Sequence, residues 1–276
     1  MKDFTISKYR ELLEALLEAG YKFLTMEESL QSAVSSQQSA VSNIPPSSNG
    51  WGRGEIILRH DVDLKPENSL LTAQLEHTLG IRATYYFRIV PESNQPKIIE
   101  QIAALGHEIG YHYEDLTLAS GDIEKAYALF KAHLEYFRQF YPIRTICMHG
   151  SPRSPFDSKD IWKTYDYHTL GIIAEPYLDT DFSRCFYLTD TGRCWDGYRV
   201  SVRDKIPRYQ DEWTNAGLTF HSTDDIIGAV ASGKLPQRIM ITTHPQRWTD
   251  NKRAWWREMI NQNIKNIAKR ILLFCR

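Results

Sequence analysis

The chain has 276 residues, and its 33 Lys and Arg nearly balance its 34 Asp and Glu, leaving a formal net charge of −1. This length is enough for one α/β domain with a full core, while the balanced charge argues against a nucleic-acid partner. No apolar run approaches the ~20 residues that cross a bilayer, so we expect no membrane span.

Strand-like and helix-like patterns alternate along the chain. Apolar residues at a period of ~3.6 predict helices, and short β-prone runs predict strands. In chain order we predict a helix at 7–19, strands at 21–24 and 56–61, a helix at 66–80, a strand at 83–87, a helix at 97–105, a strand at 108–113, a helix at 123–140, a strand at 145–148, a helix at 159–165, a strand at 172–175, short β-like segments at 177–219, a helix at 223–232, a strand at 239–243 and a helix at 253–269. This alternation implies a mainly parallel sheet, as an open doubly wound sheet or as a barrel.

Residues 31–50 interrupt the alternation. The segment is rich in Ser, Gln, Asn and Pro and nearly repeats the sequence Gln-Ser-Ala-Val-Ser. Such a composition buries little apolar surface, so it predicts a flexible surface insertion. We therefore expect one domain over residues 1–276 with this insertion inside it.

The cysteines and the first residues bear on location. Cys147, Cys185, Cys194 and Cys275 show no paired spacing, which is typical of a reducing compartment where disulfides do not persist. The first ten residues contain no hydrophobic signal region. Both features predict a cytoplasmic protein.

The sequence Arg-His-Asp-Val-Asp at residues 59–63 ends an apolar run. Side chains alternate along a strand, so Asp61 and Asp63 should project from one face, about 7 Å apart. Two carboxylates at the end of a buried strand are costly to desolvate unless a metal, a cation or a reaction requires them. A charged strand end that caps the next helix is the alternative for this segment taken alone.

Three other predicted strands end in similar side chains. His112 and Glu114 lie two residues apart at one strand end, and His149 and His244 each follow another. In barrels of parallel strands, active sites lie at the C-terminal ends of several strands. We therefore predict that these residues share one site with the two aspartates.

At these residues the chain resembles a known family, the polysaccharide deacetylases with a NodB-type domain, from about Glu55 to Trp248. The motifs are Asp-Val-Asp at 61–63, Gly-His-Glu-Ile-Gly at 106–110 followed by His112, and the late His244. The family's third motif, normally Arg-Pro, is altered to His-Gly-Ser-Pro at 149–152. The resemblance implies a distorted, incomplete (β/α) barrel and the removal of N-acetyl groups from amino sugars.

The resemblance also implies one divalent metal ion, with zinc expected first and iron, cobalt or manganese as alternatives, held by Asp63 and His112. The family has a second metal-binding His four residues after the first, and this chain has Leu116 there. His149 or Glu114 is therefore the predicted third ligand. Glu114 could instead orient the imidazole of His112, a common arrangement around metal-bound histidines.

Hydrolysis of an amide needs a base for the water and an acid for the departing amine. Asp61 matches the family's non-ligating aspartate and is the predicted base. His244 is the predicted acid, because the unperturbed pKa of histidine suits that task. The residues predicted to bind the substrate are Arg59, His149, Trp248 and Trp195.

The expected substrate is an N-acetylated sugar or glycan of surface polysaccharide biosynthesis. Two other functions remain open at this point. One is a non-catalytic glycan-binding protein on a decayed deacetylase fold, which Leu116 favours. The other is a metal-dependent hydrolase that acts on another carbon–nitrogen bond.

Overall fold

The structure is a computed structural model that describes residues 2–39, 54–151, 154–195 and 204–274. The strands are β1 (Lys22–Leu24), β2 (Glu55–Val62), β3 (Thr84–Phe87), β4 (Glu108–Tyr113), β5 (Ile146–Met148), β6 (Phe186–Thr189) and β7 (Arg238–Thr243). The helices are α1 (Ile6–Glu18), α2 (Met26–Ser39), α3 (Pro66–Thr78), α4 (Pro96–Ala104), α5 (Asp115–Leu118), α6 (Ile123–Arg138), α7 (Pro176–Asp179), α8 (Pro207–Asn215), α9 (Thr223–Ala231) and α10 (Lys252–Phe274). Short 3-10 helices occur at Ser158–Lys163, Tyr167–Leu170 and Pro245–Arg247.

All seven strands form one parallel sheet in the order β5-β4-β3-β2-β7-β6, and β1 pairs with the start of β2. The central strand β2 is buried almost throughout and pairs with β7 over residues 55–60 and with β3 over residues 59–62. The sheet forms part of a barrel, which confirms the predicted distorted, incomplete (β/α) barrel. Because every pair is parallel, the C-terminal ends of all these strands lie at one edge.

Local sequence signals explain where most helices begin and end. Thr5 and Asp122 cap α1 and α6 with side-chain oxygens, and Ser222 with Asp225 forms a capping box on α9. Gly106 adopts a positive φ of 88° after α4, where a side chain would be strained, so the chain can turn directly into β4. None of the helices in the described ranges is both long and apolar enough to span a membrane.

The structure corrects the predicted strand at residues 172–175. Only Ala174 joins the sheet, through a single bridge to Thr145. Glu175 instead accepts hydrogen bonds from the backbone N–H groups of Tyr177 and Leu178 and caps α7. Pro176 has no N–H to continue a ladder, so the chain leaves the sheet there.

Three other predicted segments also differ. The predicted helix at 159–165 is the 3-10 helix Ser158–Lys163, and α8 lies inside the region predicted to be β-like. Pro207 starts α8, which is held to the sheet by Trp213 packing edge-on against Phe186. Residues 31–39 of the predicted insertion belong to α2, and residues 40–53 lie outside the described ranges.

Gly110 in the middle of β4 is fixed by packing. A Cβ at this position would overlap the buried ring of Tyr86 and would lie 3.0 Å from the carbonyl oxygen of Thr145. We expect Gly110→Ala to lower the free energy of unfolding by about 1–3 kcal/mol, a typical cost of overpacking. Denaturant unfolding of purified protein measures this change.

The control for this prediction is Gly228→Ala in α9, because a Cβ there meets nothing within 4 Å. Alanine favours a helix over glycine, so this variant should be more stable by about 0.5–1 kcal/mol. Equal stability changes in the two variants would contradict the packing role of Gly110.

Candidate active site

Five residues from the ends of four strands lie close together at this edge of the sheet. Asp63 Oδ1 lies 3.6 Å from His112 Nε2 and 3.5 Å from His149 Nε2, and its Oδ2 lies 3.9 Å from His244 Nε2. Asp61 Oδ2 is 3.8 Å from His112 Nε2. The structure therefore brings together all the aspartates and histidines that the sequence analysis placed at strand ends.

The two imidazoles beside Asp63 are held with Nε2 facing inward. His112 Nδ1 donates to the carbonyl oxygen of Cys147 (2.9 Å), and His149 Nδ1 donates to Glu114 Oε2 (2.9 Å). In the neutral form of each ring, with the proton on Nδ1, the lone pair of Nε2 is available to bind a metal ion. This is the tautomer that binds metals through Nε2.

Asp63, His112 and His149 fit a divalent cation. Asp63 Oδ1 is buried and has no hydrogen-bond partner, although two imidazole nitrogens lie 3.5 and 3.6 Å away. Ligand atoms at ~2.1 Å from a tetrahedral zinc ion are about 3.4 Å apart, which matches this spacing. Burial raises the pKa of Asp63, but the three surrounding histidines outweigh it and hold that pKa well below its ordinary value.

The strand register explains why His149 lies here. In the parallel pair of β4 and β5, His112 lies opposite Cys147, and His149 follows Cys147 by two residues. The backbone N–H of His149 then donates to the carbonyl of Tyr113 at 2.9 Å, which extends the ladder beyond β5. A histidine from the neighbouring strand end thus reaches the same carboxylate as His112.

Leu116, at the position of the expected second histidine, points elsewhere. The chain turns into α5 after Glu114, and Leu116 is buried in a small apolar cluster with Ala119, Ala126 and Ile161. A histidine at 116 would therefore enter apolar surroundings in this structure. His149, from the neighbouring strand end, lies beside Asp63 instead, with its Nε2 3.5 Å from Asp63 Oδ1.

Glu114 lies beside His149. One of its predicted roles was to orient His112, and its hydrogen bonds go to other partners. Its Oε1 accepts from Arg88 Nε (2.9 Å) and Nη2 (2.6 Å), and its Oε2 accepts from His149. Burial raises the pKa of Glu114, but His149 and Arg88 outweigh it and lower this pKa to about 2. Glu114 is thus an ionised partner that orients His149.

Arg59 was predicted to bind the substrate, and its burial does not support this. Its side chain is 0% exposed, donates from Nη2 to Asp61 Oδ2 at 2.8 Å and lies over the ring of Tyr177 at 4.9 Å. Arg59 therefore fixes one oxygen of Asp61. The other oxygen, Asp61 Oδ1, is buried without a hydrogen-bond partner.

Asp190, at the end of β6, orients His244 and was not identified from the sequence. Its Oδ1 accepts from His244 Nδ1 (2.6 Å) and Arg247 Nη1 (2.7 Å), and its Oδ2 accepts from Trp248 Nε1 (2.7 Å). Burial and Arg247 lower the pKa of His244, but Asp190 and Asp63 outweigh them and raise it above 6.5. Asp190 lies in the region predicted only as short β-like segments, so no parallel strand was predicted to end beside it.

The two tryptophans predicted to stack on a sugar are both buried. Trp248 packs against Phe4 and Tyr9 with ring centroids 5.0 and 5.1 Å apart, and its N–H is bonded to Asp190. Trp195 donates to Thr223 Oγ1 at 2.9 Å. Trp195 and Trp248 are 3 and 1% exposed, and this burial does not support the predicted contact with substrate. His149 is partly exposed, so its predicted contact with substrate stays a prediction.

The chain matches no family model. Over 103 residues it is 32% identical to vacuolar protein sorting/targeting protein 10 of Laccaria bicolor, a match that covers 37% of this chain and 6% of that protein. The chain thus spans a small part of this relative, and the match is too short to show a family.

Solved structures that resemble this fold include two proteins of carbohydrate esterase family 4 and a polysaccharide deacetylase. They include a pseudoenzyme from Bacillus anthracis (11% identity, 75% of this chain and 59% of that chain, TM-score 0.41) and a family 4 carbohydrate esterase from Bacillus subtilis (14%, 76% and 75%, 0.38). A polysaccharide deacetylase from Bacillus cereus is similar at 13% identity over 77% of this chain and 88% of that chain, with a TM-score of 0.38. Likeness at 11–14% identity carries no information about activity.

Proposed function

We propose that this chain is a metal-dependent hydrolase that removes an N-acetyl group from an amino sugar or glycan. The observation that carries the proposal is the buried Asp63 Oδ1, which has no hydrogen-bond partner and faces two imidazoles in the metal-binding tautomer. A candidate base and a candidate acid adjoin this cluster, since Asp61 Oδ2 lies 3.8 Å from His112 Nε2 and His244 Nε2 lies 3.9 Å from Asp63 Oδ2. The Gly-His-Glu-Ile-Gly motif at 106–110 supports the choice of a deacetylase.

Asp63, His112 and His149 would hold the metal. Two histidines and one carboxylate suit zinc first, with iron, cobalt and manganese as alternatives. The bound ion would polarise the acyl carbonyl and lower the pKa of a water molecule. The side chain of His112 is 2% exposed, whereas those of His149 and Asp63 are 15 and 20% exposed, so the ion would be open to solvent on the side of His149 and Asp63, where a substrate can approach.

Asp61 is the proposed base. Arg59 binds Oδ2 and fixes the plane of the carboxylate, so Oδ1 remains to accept the proton of the attacking water. Because Arg59 is itself buried and stacked on Tyr177, the carboxylate has little freedom to turn. A fixed acceptor lowers the entropic cost of the proton transfer.

His244 is the proposed acid. Its Nδ1–H is engaged by Asp190, so Nε2 is the nitrogen that faces the site and would deliver a proton to the departing amine. Asp190 is in turn held by Arg247 and Trp248, which makes it a positioning residue. The arrangement follows the general rule that a carboxylate fixes the tautomer of a catalytic histidine.

The substrate class within this proposal is an N-acetylated sugar or a glycan made during surface polysaccharide synthesis. The cytoplasmic location expected from the sequence stays a prediction. The acetamide is the reacting group in a sugar and in a glycan alike, so acetate release measures the activity on both.

Purified protein loaded with zinc should release acetate from N-acetylated amino sugars or their oligomers. We expect His244→Ala to slow turnover by about 10²–10⁴-fold while the metal content is unchanged, because the lost group serves the departing amine. A matched control is His168→Ala, since His168 is exposed and pairs only locally with Asp166.

If the metal-loaded protein binds glycans but releases no acetate, the proposed hydrolase activity is wrong and a glycan-binding function is supported. Release of ammonia or of another acyl group would place the activity on a different carbon–nitrogen bond. A His244→Ala variant with full turnover would remove His244 from the mechanism.

A further inference from the structure

The C-terminal helix α10 has one side against the domain and one side in solvent. On the inner side, Trp255 Nε1 donates to the carbonyl of Asp3 at 2.7 Å, Gln262 is buried, and Glu258 pairs with Lys65 at 3.1 Å. These contacts fix which face of the helix is turned outward.

The outer face carries large apolar side chains. Trp256, Ile260, Ile264 and Ile267 are 49, 52, 61 and 59% exposed, and we call them the outer stripe. Their spacing of four, four and three residues places them on one side of a helix. Among the residues whose side chains the structure describes, seven large hydrophobic residues are exposed and four of them form this stripe, so chance scatter does not explain it.

Basic residues border the start of the outer stripe. Arg253 and Arg257 precede Trp256 and Ile260 by three residues each and therefore lie on the same face. The ammonium group of Lys2 lies 4.8 Å from the centroid of the Trp256 ring. Acidic groups are almost absent, because Glu258 is the single acidic residue between 252 and 274 and is turned inward.

We propose that the outer stripe docks onto the surface of an anionic lipid membrane, with α10 lying in the plane of the headgroups. An apolar face bordered by Lys and Arg, with tryptophan at its edge, is the pattern of interfacial helices. The apolar side chains would enter the boundary between headgroups and acyl chains, and the cations would meet the lipid phosphates. The domain contacts on the opposite side of α10 stay intact in this orientation.

A second copy of the chain fits this face less well. Parallel pairing of two outer stripes would bring Arg253 and Arg257 of each copy together. Such pairing opposes like charges at the interface, whereas an anionic surface neutralises them.

The test is co-sedimentation of the full chain with vesicles of phosphatidylcholine alone or mixed with phosphatidylglycerol, at low and high salt. We expect binding only to the mixed vesicles, and weaker binding at high salt. Ile260→Gln with Ile264→Gln, and separately Arg253→Gln with Arg257→Gln, should each weaken binding by about tenfold or more. Glutamine keeps the helix propensity high, and circular dichroism checks that the variants fold.

Leu71→Gln is the matched control, because Leu71 is 53% exposed on α3 and lies outside the stripe. It should bind vesicles as the wild type does. No binding to the mixed vesicles, or equal loss in the control, would overturn the proposal. Light scattering that shows a dimer dissociated by the Ile260 and Ile264 changes, without vesicle binding, would assign the face to a second copy. None of these measurements depends on the proposed deacetylase activity.

Discussion

His149→Ala should remove most of the bound divalent metal from the protein. Its Nε2 is one of the two nitrogens beside the unpartnered Asp63 Oδ1, so only two protein ligands would remain. Loss of an orienting partner alone typically costs 10–100-fold in metal affinity, and loss of a ligand should exceed about 100-fold. Metal titration of the apoprotein, with content checked by elemental analysis, measures the change.

Glu114→Gln distinguishes a ligand from a positioning residue. Because Glu114 binds His149 Nδ1, its loss should weaken metal binding by about 10–100-fold without abolishing it. Glutamine replaces one carboxylate oxygen with an NH2 donor, which would face either Arg88 or the Nδ1–H of His149, so the His149 ring would be held less firmly. If His149→Ala keeps the metal and Glu114→Gln loses it, Glu114 is the ligand and the assignment of His149 is wrong.

Asp61→Asn should abolish most turnover and leave the metal in place. An amide keeps the shape of the carboxylate and can still accept from Arg59, but it cannot take a proton from water. We expect a loss of about 10²–10⁴-fold in acetate release, the usual contribution of a general base. Asp63→Asn is the contrasting variant, because loss of the Asp63 carboxylate should remove the metal as well as the activity.

A different result for Asp61→Asn would also be informative. Asp61, His112 and Cys147 form a second group of ligand atoms that lie within 4.8 Å of one another, and all three residues are buried. If Asp61→Asn loses its metal, the ion sits in this deeper group. Cys147→Ala should then lose the metal too, and Asp61 would be a ligand instead of a base.

The sequence by itself determined the parallel sheet and the edge at which the site lies. The period of two along a strand and the apolar runs located β4 at residues 108–113, the same bounds that the structure has. A residue that follows an apolar run must sit at the C-terminal end of its strand. Parallel strands bring those ends together, so Asp61, Asp63, His112 and His244 could be grouped from sequence alone.

Only the tertiary structure showed which side chains contact each other at the site. Glu114 and His149 were equal candidates, because sequence spacing does not show how far β5 is shifted relative to β4. The register of that pair places His149 Nε2 toward Asp63 and Glu114 behind His149. Asp190 was missed for the same reason, since its role depends on β6 lying beside β7.

How deeply a side chain is buried also depends on tertiary packing. Periodicity shows the face on which a side chain lies but not what covers that face. Arg59 shares the face of Asp61, yet Tyr177 closes over its guanidinium, and Trp248 is covered by Phe4 and Tyr9 from the start of the chain. These covering groups come from segments more than fifty residues away in sequence, so their contacts exist only in the folded chain.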